Sequence, residues 1–317
     1  MEFVRDFKQI TKKDVAAAGG KGASLGEMTH AGIPVPSGFV VLSNAFEHFL
    51  EKTELHAEID SVLHKVKHEE MQSVENASET IQALILEEEM PKDIGKEIER
   101  HYEKLDSKFV AVRSSATAED SSEAAWAGQL DSYLNTTHDK LLQNVKRCWA
   151  SLFTPRAIFY RFEKQLHKQK ISVAVVIQKM VESEVSGIAF SVHPVTQDYN
   201  QLIIEAGFGL GEAIVSGSVT PDNYVVEKNR SEILDKYIST QSKKLVRSHK
   251  GGNEWVELDE KEGSKQVLTE KEVLDLAALV IRIEKHYGFP VDVEWAREKK
   301  KFYIVQSRPI TTLTKKS

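Results

Sequence analysis

The chain has 317 residues, of which 41% are hydrophobic and 28% charged, and its formal net charge is −6 at pH 7. This length exceeds what one compact core usually serves, so two lobes are expected, and the composition is that of a folded protein rather than a disordered one. The acidic balance excludes broad binding to nucleic acid or to an anionic membrane, since both need a dominant basic surface.

The one cysteine, Cys148, lies in the helical pattern KLLQNVKRCWASLF, which excludes an intramolecular disulfide and makes it a core residue. No basic start leads into an apolar h-region and no apolar run is long enough to span a bilayer, so a cytoplasmic location is expected.

In chain order, residues 14–30 read DVAAAGGKGASLGEMTH, with Gly19, Gly20 and Gly22 around Lys21 ahead of a short helix expected from about Ala23. A glycine-flanked lysine at a helix entrance suits phosphate, because backbone can approach closely and the ammonium adds a point charge; a solvated turn is the other reading. The segment is not a Walker A loop, which needs G-x-x-x-x-G-K-[ST]. Gly32-Ile33-Pro34-Val35-Pro36 breaks the helix, and Gly38 to Leu42 predicts a strand feeding a helix near Ser43.

From Leu55 to Leu105 the pattern is helical and charged, interrupted at Met90-Pro91. Its histidines His64 and His68 and the glutamates at 87–89 are read as solvated helix surface, because no complementary ligand set recurs nearby. The apolar run Phe109 to Val112 then delivers Arg113 into a stretch of Ser, Thr, Ala and Gly that reaches Asn135. Small side chains leave backbone N–H groups accessible to an anion, although the same stretch also reads as a strand and a polar loop. Residues 138–168 predict helix broken at Thr154-Pro155, with Trp149, Phe153, Ile158, Phe159 and Phe162 as core, and the lobes are expected to divide after it.

Beyond Ile171 short apolar runs follow one another, VAVVIQKMV, SGIAF, QLIIEA and YVVEK, as consecutive strands of one largely antiparallel sheet would. The first is apolar except at Gln178 and Lys179, as a core strand or as one that binds a base through its backbone while Met180 and Val181 pack on the ring. Gly207-Phe208-Gly209-Leu210-Gly211 lacks the G-x-G-x-x-G of a dinucleotide fold and is read as a flexible loop presenting Glu212. His193 is read as structural. Residues 228–268 carry no functional signal, and Thr269-Glu270-Lys271-Glu272 predicts a capping box opening a helix that Gly288 and Pro290 stop.

The C-terminal VDVEWAREKKKFYIVQSRPI predicts a hairpin with a basic turn. Alternation places Asp292 and Glu294 on one face and Val291, Val293 and Trp295 on the other, with Gln306 and Arg308 sharing a face with Ile304. This is either a solvent-facing edge of paired charges or an oxygen-rich face suited to Mg²⁺ with an arginine for phosphate. For the two polar faces to coincide, paired residue numbers must sum to an even number, which predicts a connecting loop with an odd number of residues.

Several of these segments together closely resemble the nucleotide-binding domain shared by phosphoenolpyruvate synthase, pyruvate phosphate dikinase and rifampin phosphotransferase. The likeness is carried by Val112-Arg113-Ser114-Ser115-Ala116, Ala118-Glu119-Asp120, Ala127-Gly128-Gln129 and Tyr133-Leu134-Asn135, by the glycine-lysine segment, and by residues 186–227. It implies an α+β, two-lobed ATP-grasp-like fold with a helical insertion in the first lobe, residues 1–170 forming that lobe and 171–317 the second.

The resemblance also implies ATP and Mg²⁺ as cofactors. Lys21, Arg113 and Arg308 match catalytic phosphate-binding positions; Gly128, Gln129, Gln178, Met180, Val181, Glu212 and Asp292 match the nucleotide site; Glu294 and Gln306 match the metal-coordinating pair. In the family, phosphate passes to a histidine on a separate domain. None of the eleven histidines here sits in a glycine-rich acceptor segment, so the acceptor is expected in cis in a longer enzyme or in trans on a partner. A non-catalytic ATP-binding module and the ATP-binding part of an antibiotic-modifying enzyme are the other readings.

Overall fold

The computed structural model describes residues 1–117, 131–163, 172–248 and 252–313. The chain is an α+β protein in two compact units, the first comprising Met1–Glu27 and Ser37–Met180, the second Met28–Pro36 and Val181–Ser317.

In the first unit, β1 (Val4–Asp6) leads through a 3-10 turn into α1 (Val15–His30), whose last residues belong to the second unit. Next come β2 (Gly38–Val41), α2 (Ser43–Lys52), α3 (Leu55–His64), α4 (Met71–Glu87), α5 (Lys92–Leu105), β3 (Val110–Ala116), β4 (Ser132–Thr136), α6 (His138–Ala150), α7 (Pro155–Glu163) and β5 (Val173–Lys179). The strands form an antiparallel sheet in the order β1-β2-β5-β3-β4.

Alternation sorts the two faces of this sheet. Phe39, Val41, Val110, Val112, Ala116, Val173, Val175 and Ile177 point into a core shared with Phe46, Phe49, Ile81, Ile98 and Trp149 from the helices. That accounts for the helical insertion: α2 to α7 cover one face of five strands that would otherwise expose it. Ala111, Arg113, Ser115, Ala174, Val176 and Gln178 lie on the opposite face.

Two expectations change here. β5 pairs with β2 and β3, so it is the middle strand of the first sheet and not the first strand of the second. The division therefore falls between Met180 and Val181, about ten residues later than expected. Likewise helical backbone begins at Val15 and is interrupted at Gly19 (φ 68°, ψ 171°), so Lys21 opens the second helical segment instead of lying in a turn before Ala23.

The second unit contains β6 (Val185–Phe190), β7 (Gln201–Phe208), α8 (Glu212–Val215), β8 (Asp222–Glu227), β9 (Glu232–Tyr237), β10 (Lys243–Arg247), β11 (Asn253–Glu257), α9 (Glu260–Gly263), α10 (Glu270–Tyr287), β12 (Val291–Glu298) and β13 (Lys301–Pro309). Its main sheet is antiparallel in the order β13-β12-β6-β7-β8-β9, while β10 and β11 form a separate ribbon. Residues 28–36 join this unit, where the Ile304 N–H donates to Pro34 O at 2.8 Å.

Helix α10 packs on one face of that sheet, burying Val273, Leu276, Val280 and Ile283, while Val291, Val293 and Trp295 of β12 are buried. Its ends are as the sequence predicts. Thr269 accepts from the Glu272 N–H while Glu272 accepts from the Thr269 N–H, and Gly288 (φ 78°) closes the helix by donating to Glu284 O. Among the described residues, no helix is long and apolar enough to cross a membrane.

Candidate functional site

In the first unit the glycine-lysine segment is pinned to β3 through one residue of RSSA. The Ser115 hydroxyl donates to Ala18 O at 3.0 Å and accepts from the Gly22 N–H at 3.3 Å. Gly19 is required for this approach, because a Cβ there would lie 2.2 Å from Ser115 Oγ and 2.3 Å from Ser115 O, besides sitting at positive φ. The contact carries Lys21 to the sheet face that bears Arg113 and Gln178, and both basic side chains are half-buried.

Gln178 is almost fully buried opposite Ala111 and Gly38. Because β5 is a central strand, its backbone is taken up on both sides. Lys179 N–H donates to Ser37 O and Met180 N–H to Phe109 O, at 2.8 and 3.1 Å. The N–H groups of the strand are thus engaged as far as Met180. Val181, the first residue of the second unit, is buried. Gly128 and Gln129 lie outside the described residues, as do Ala118-Glu119-Asp120.

In the second unit the hairpin aligns its polar residues pairwise. Glu294 is directly opposite Gln306, and Asp292 directly opposite Arg308, each pair summing to 600. Arg308 donates from Nε and Nη2 to Asp292 Oδ2 at 2.8 and 2.7 Å. The even sum is as expected, but the odd loop is not. The turn consists of two residues, Lys299 and Lys300, both at positive φ, and pairs near it sum to 599. A bulge at Val305 inserts the extra residue that restores the register at the polar end. It also pairs Ile304 with Trp295, on the apolar side, so Ile304 does not share a face with Gln306 as the simple alternation predicts.

The same face extends across the sheet. Glu294 pairs with Ile188 of β6, and Ile188 pairs with Glu205 of β7. Glu205 is half-buried; burial first, and then the Asp292 charge, push its carboxyl above the ordinary range. Asp292 is held high by burial and by Glu294 against the opposing pull of Arg308. Sequence reasoning missed Glu205. The signal available was that it is the only charged residue in the apolar run LIIEAGF, with Ile203 and Glu205 on one face and Leu202, Ile204 and Ala206 on the other.

Glu212 opens α8, where it accepts a hydrogen bond from Asn253 Nδ2 at 2.8 Å. The glycine loop before it is tied down and not a free loop. Gly209 N–H donates to Glu184 O, Leu210 N–H to Leu245 O, and Ser186 Oγ to Gly209 O, with Gly209 at φ 80°. A hollow of about 640 Å³ beside β1 and α5 contains none of the expected site residues; its acids are engaged locally, Glu97 on the Phe3 and Val4 N–H groups and Asp93 on His48.

The donors on the hairpin face are all oxygens, as a hard divalent cation takes. Among the described residues no three Asp, Glu, His or Cys side chains converge closely enough to hold a metal by themselves. Such a set fits a cation ligated by one or two protein oxygens, with water and phosphate completing its shell.

Residues 15–317 match the family described as the pyruvate phosphate dikinase AMP/ATP-binding domain, and the chain belongs to that family. It is 47% identical to a probable phosphoenolpyruvate synthase of Methanocaldococcus jannaschii over 99% of its own length and 27% of that protein. It is 40% identical to the phosphoenolpyruvate synthase of Pyrococcus furiosus, covering 98% of this chain and 44% of the relative. A rifampicin phosphotransferase of Bacillus cereus is 41% identical over 98% of this chain and 36% of the relative. The chain thus spans less than half the length of each.

Proposed function

We propose that the chain binds ATP with Mg²⁺ through an ATP-grasp-like fold, cleaves it, and passes phosphate to a histidine on a separate domain or partner. The observation that carries this reading is the paired register of the hairpin, Glu294 opposite Gln306 beside Asp292 opposite Arg308, in a chain of an AMP/ATP-binding family. Glu294 and Gln306 would hold Mg²⁺, which neutralises charge on phosphate oxygens when bound.

Lys21 and Arg113 contribute cations on one sheet face of the first unit, and Arg308 a planar, two-pronged donor suited to phosphate. Phosphoryl transfer makes little covalent demand on the protein, so positioning and charge compensation by these three residues supply the catalysis. The histidine acceptor is what the resemblance to the family suggests; the relatives extend well beyond the part this chain matches, which leaves room for a separate acceptor domain.

Incubating the chain with Mg-ATP and an acceptor domain from such a relative tests the reading. AMP and an acid-labile phosphohistidine are expected. ATP binding without turnover with any acceptor would leave a non-catalytic nucleotide module, and no ATP binding at all would overturn the reading outright.

A further inference from the structure

Of the acidic residues on the hairpin face, Asp292 is answered by Arg308, whereas Glu205 is half-buried and faces Asp292 with no hydrogen bond or ion pair from any described residue. A half-buried carboxylate set against a like charge is unfavourable unless something positive joins it. Register fixes where that something would lie. Glu205 is in the same cross-strand row as Glu294 and Gln306, separated only by Ile188, so its backbone is two strand spacings, about 10 Å, from that of Glu294.

Glu205 and Glu294 stand on one sheet face about 10 Å apart at the backbone, a separation that an ion and its bound water can span. Mg²⁺ loses water reluctantly and is commonly held by one or two carboxylates with several waters retained. We propose that Glu205 is an outer carboxylate of the cation site, accepting hydrogen bonds from water bound to the ion that Glu294 and Gln306 ligate. This rests on the reading of the hairpin as that site. Glu205 is a positioning residue: it orients the hydrated ion and balances its charge, and it touches neither phosphate nor protein ligand.

The test is Mn²⁺ binding to the whole chain in the presence of ATP, followed by electron paramagnetic resonance of free Mn²⁺. Glu205→Gln is expected to raise the Mn²⁺ Kd about 10- to 100-fold, the usual effect of losing a partner outside the ligand shell. Glu205→Asp, which keeps the charge, should recover part of the loss. Affinity for ATP without metal and the thermal midpoint should not fall in either variant, which separates the role from a structural one.

Saturable Mn²⁺ binding by the unaltered chain with no weakening in Glu205→Gln would overturn this inference alone. Absence of saturable, ATP-dependent Mn²⁺ binding in the unaltered chain would overturn the hairpin reading with it. If Glu205→Gln fails to fold, Glu205→Asp decides: an unchanged Kd and an unchanged hydration signature of the bound ion would count against the proposal.

Discussion

Arg308 spends two of its donors, Nε and Nη2, on a single oxygen of Asp292 across the hairpin. The pair holds the guanidinium in a fixed plane, so that a phosphate bound by its remaining donors would meet an oriented cation and not a mobile one. Replacing Arg308 by Ala is expected to weaken ATP binding about 10- to 100-fold, the scale of one lost charge-assisted hydrogen bond. Isothermal titration would measure this. Arg308→Lys should recover little, because an ammonium cannot reproduce the fork; equal affinity of all three proteins would remove Arg308 from the site.

Gly19 offers a test that separates conformation from charge. Adding a methyl group at a positive-φ position 2.2 Å from Ser115 Oγ requires the glycine-lysine segment to move off β3. Gly19→Ala should lose about 2 kcal/mol or more of stability in denaturant titrations. It should also weaken ATP binding although no charge has changed. Lys21→Ala should weaken binding with little effect on stability. A Gly19→Ala protein as stable as the unaltered chain would show that Ser115 does not hold the segment.

The N-terminus of α10 makes a prediction about pH. Glu272 is partly buried, which alone would raise its carboxyl, but the Thr269 N–H and hydroxyl and the Arg297 guanidinium prevail and hold it below its ordinary value of 4.5. A carboxyl lowered by folding contributes stability that is present above its unfolded value and lost as pH falls through its folded one. Thr269→Ala should cost about 1 kcal/mol at pH 7. The part of that cost due to Glu272 should shrink as the solution is acidified below 4.5; urea midpoints at pH 7 and pH 3 would show whether it does.

Cys148 is predicted to be inert. It is fully buried in α6, and burial pushes its thiol up to about 12 despite a hydrogen bond with Ser114, so almost no thiolate exists near neutrality. A thiol-reactive chromophore at pH 8 should label it only on the timescale of unfolding and at once in denaturant. Prompt labelling of the native chain would contradict the packing of α6.

What the sequence could determine was local. Alternation within VDVEW places Asp292 and Glu294 together, a capping box marks Thr269, and the Thr154-Pro155 break separates α6 from α7, each because the governing interaction spans only a few residues. Alternation also gives the even pairing that puts Glu294 opposite Gln306, although not the loop expected to produce it.

What tertiary structure decided was which strands meet. An apolar run such as VAVVIQK satisfies either sheet equally well, and only pairing with β2 and β3 assigns it to the first unit. The bulge at Val305 is similar. Alternation alone predicts an odd loop, whereas the chain uses a two-residue turn and an extra residue upstream of Gln306 to reach the same pairing. Glu205, 89 positions before Glu294, joins its row only through Ile188, because hydrogen-bonded registry across strands is a long-range property that no local pattern encodes.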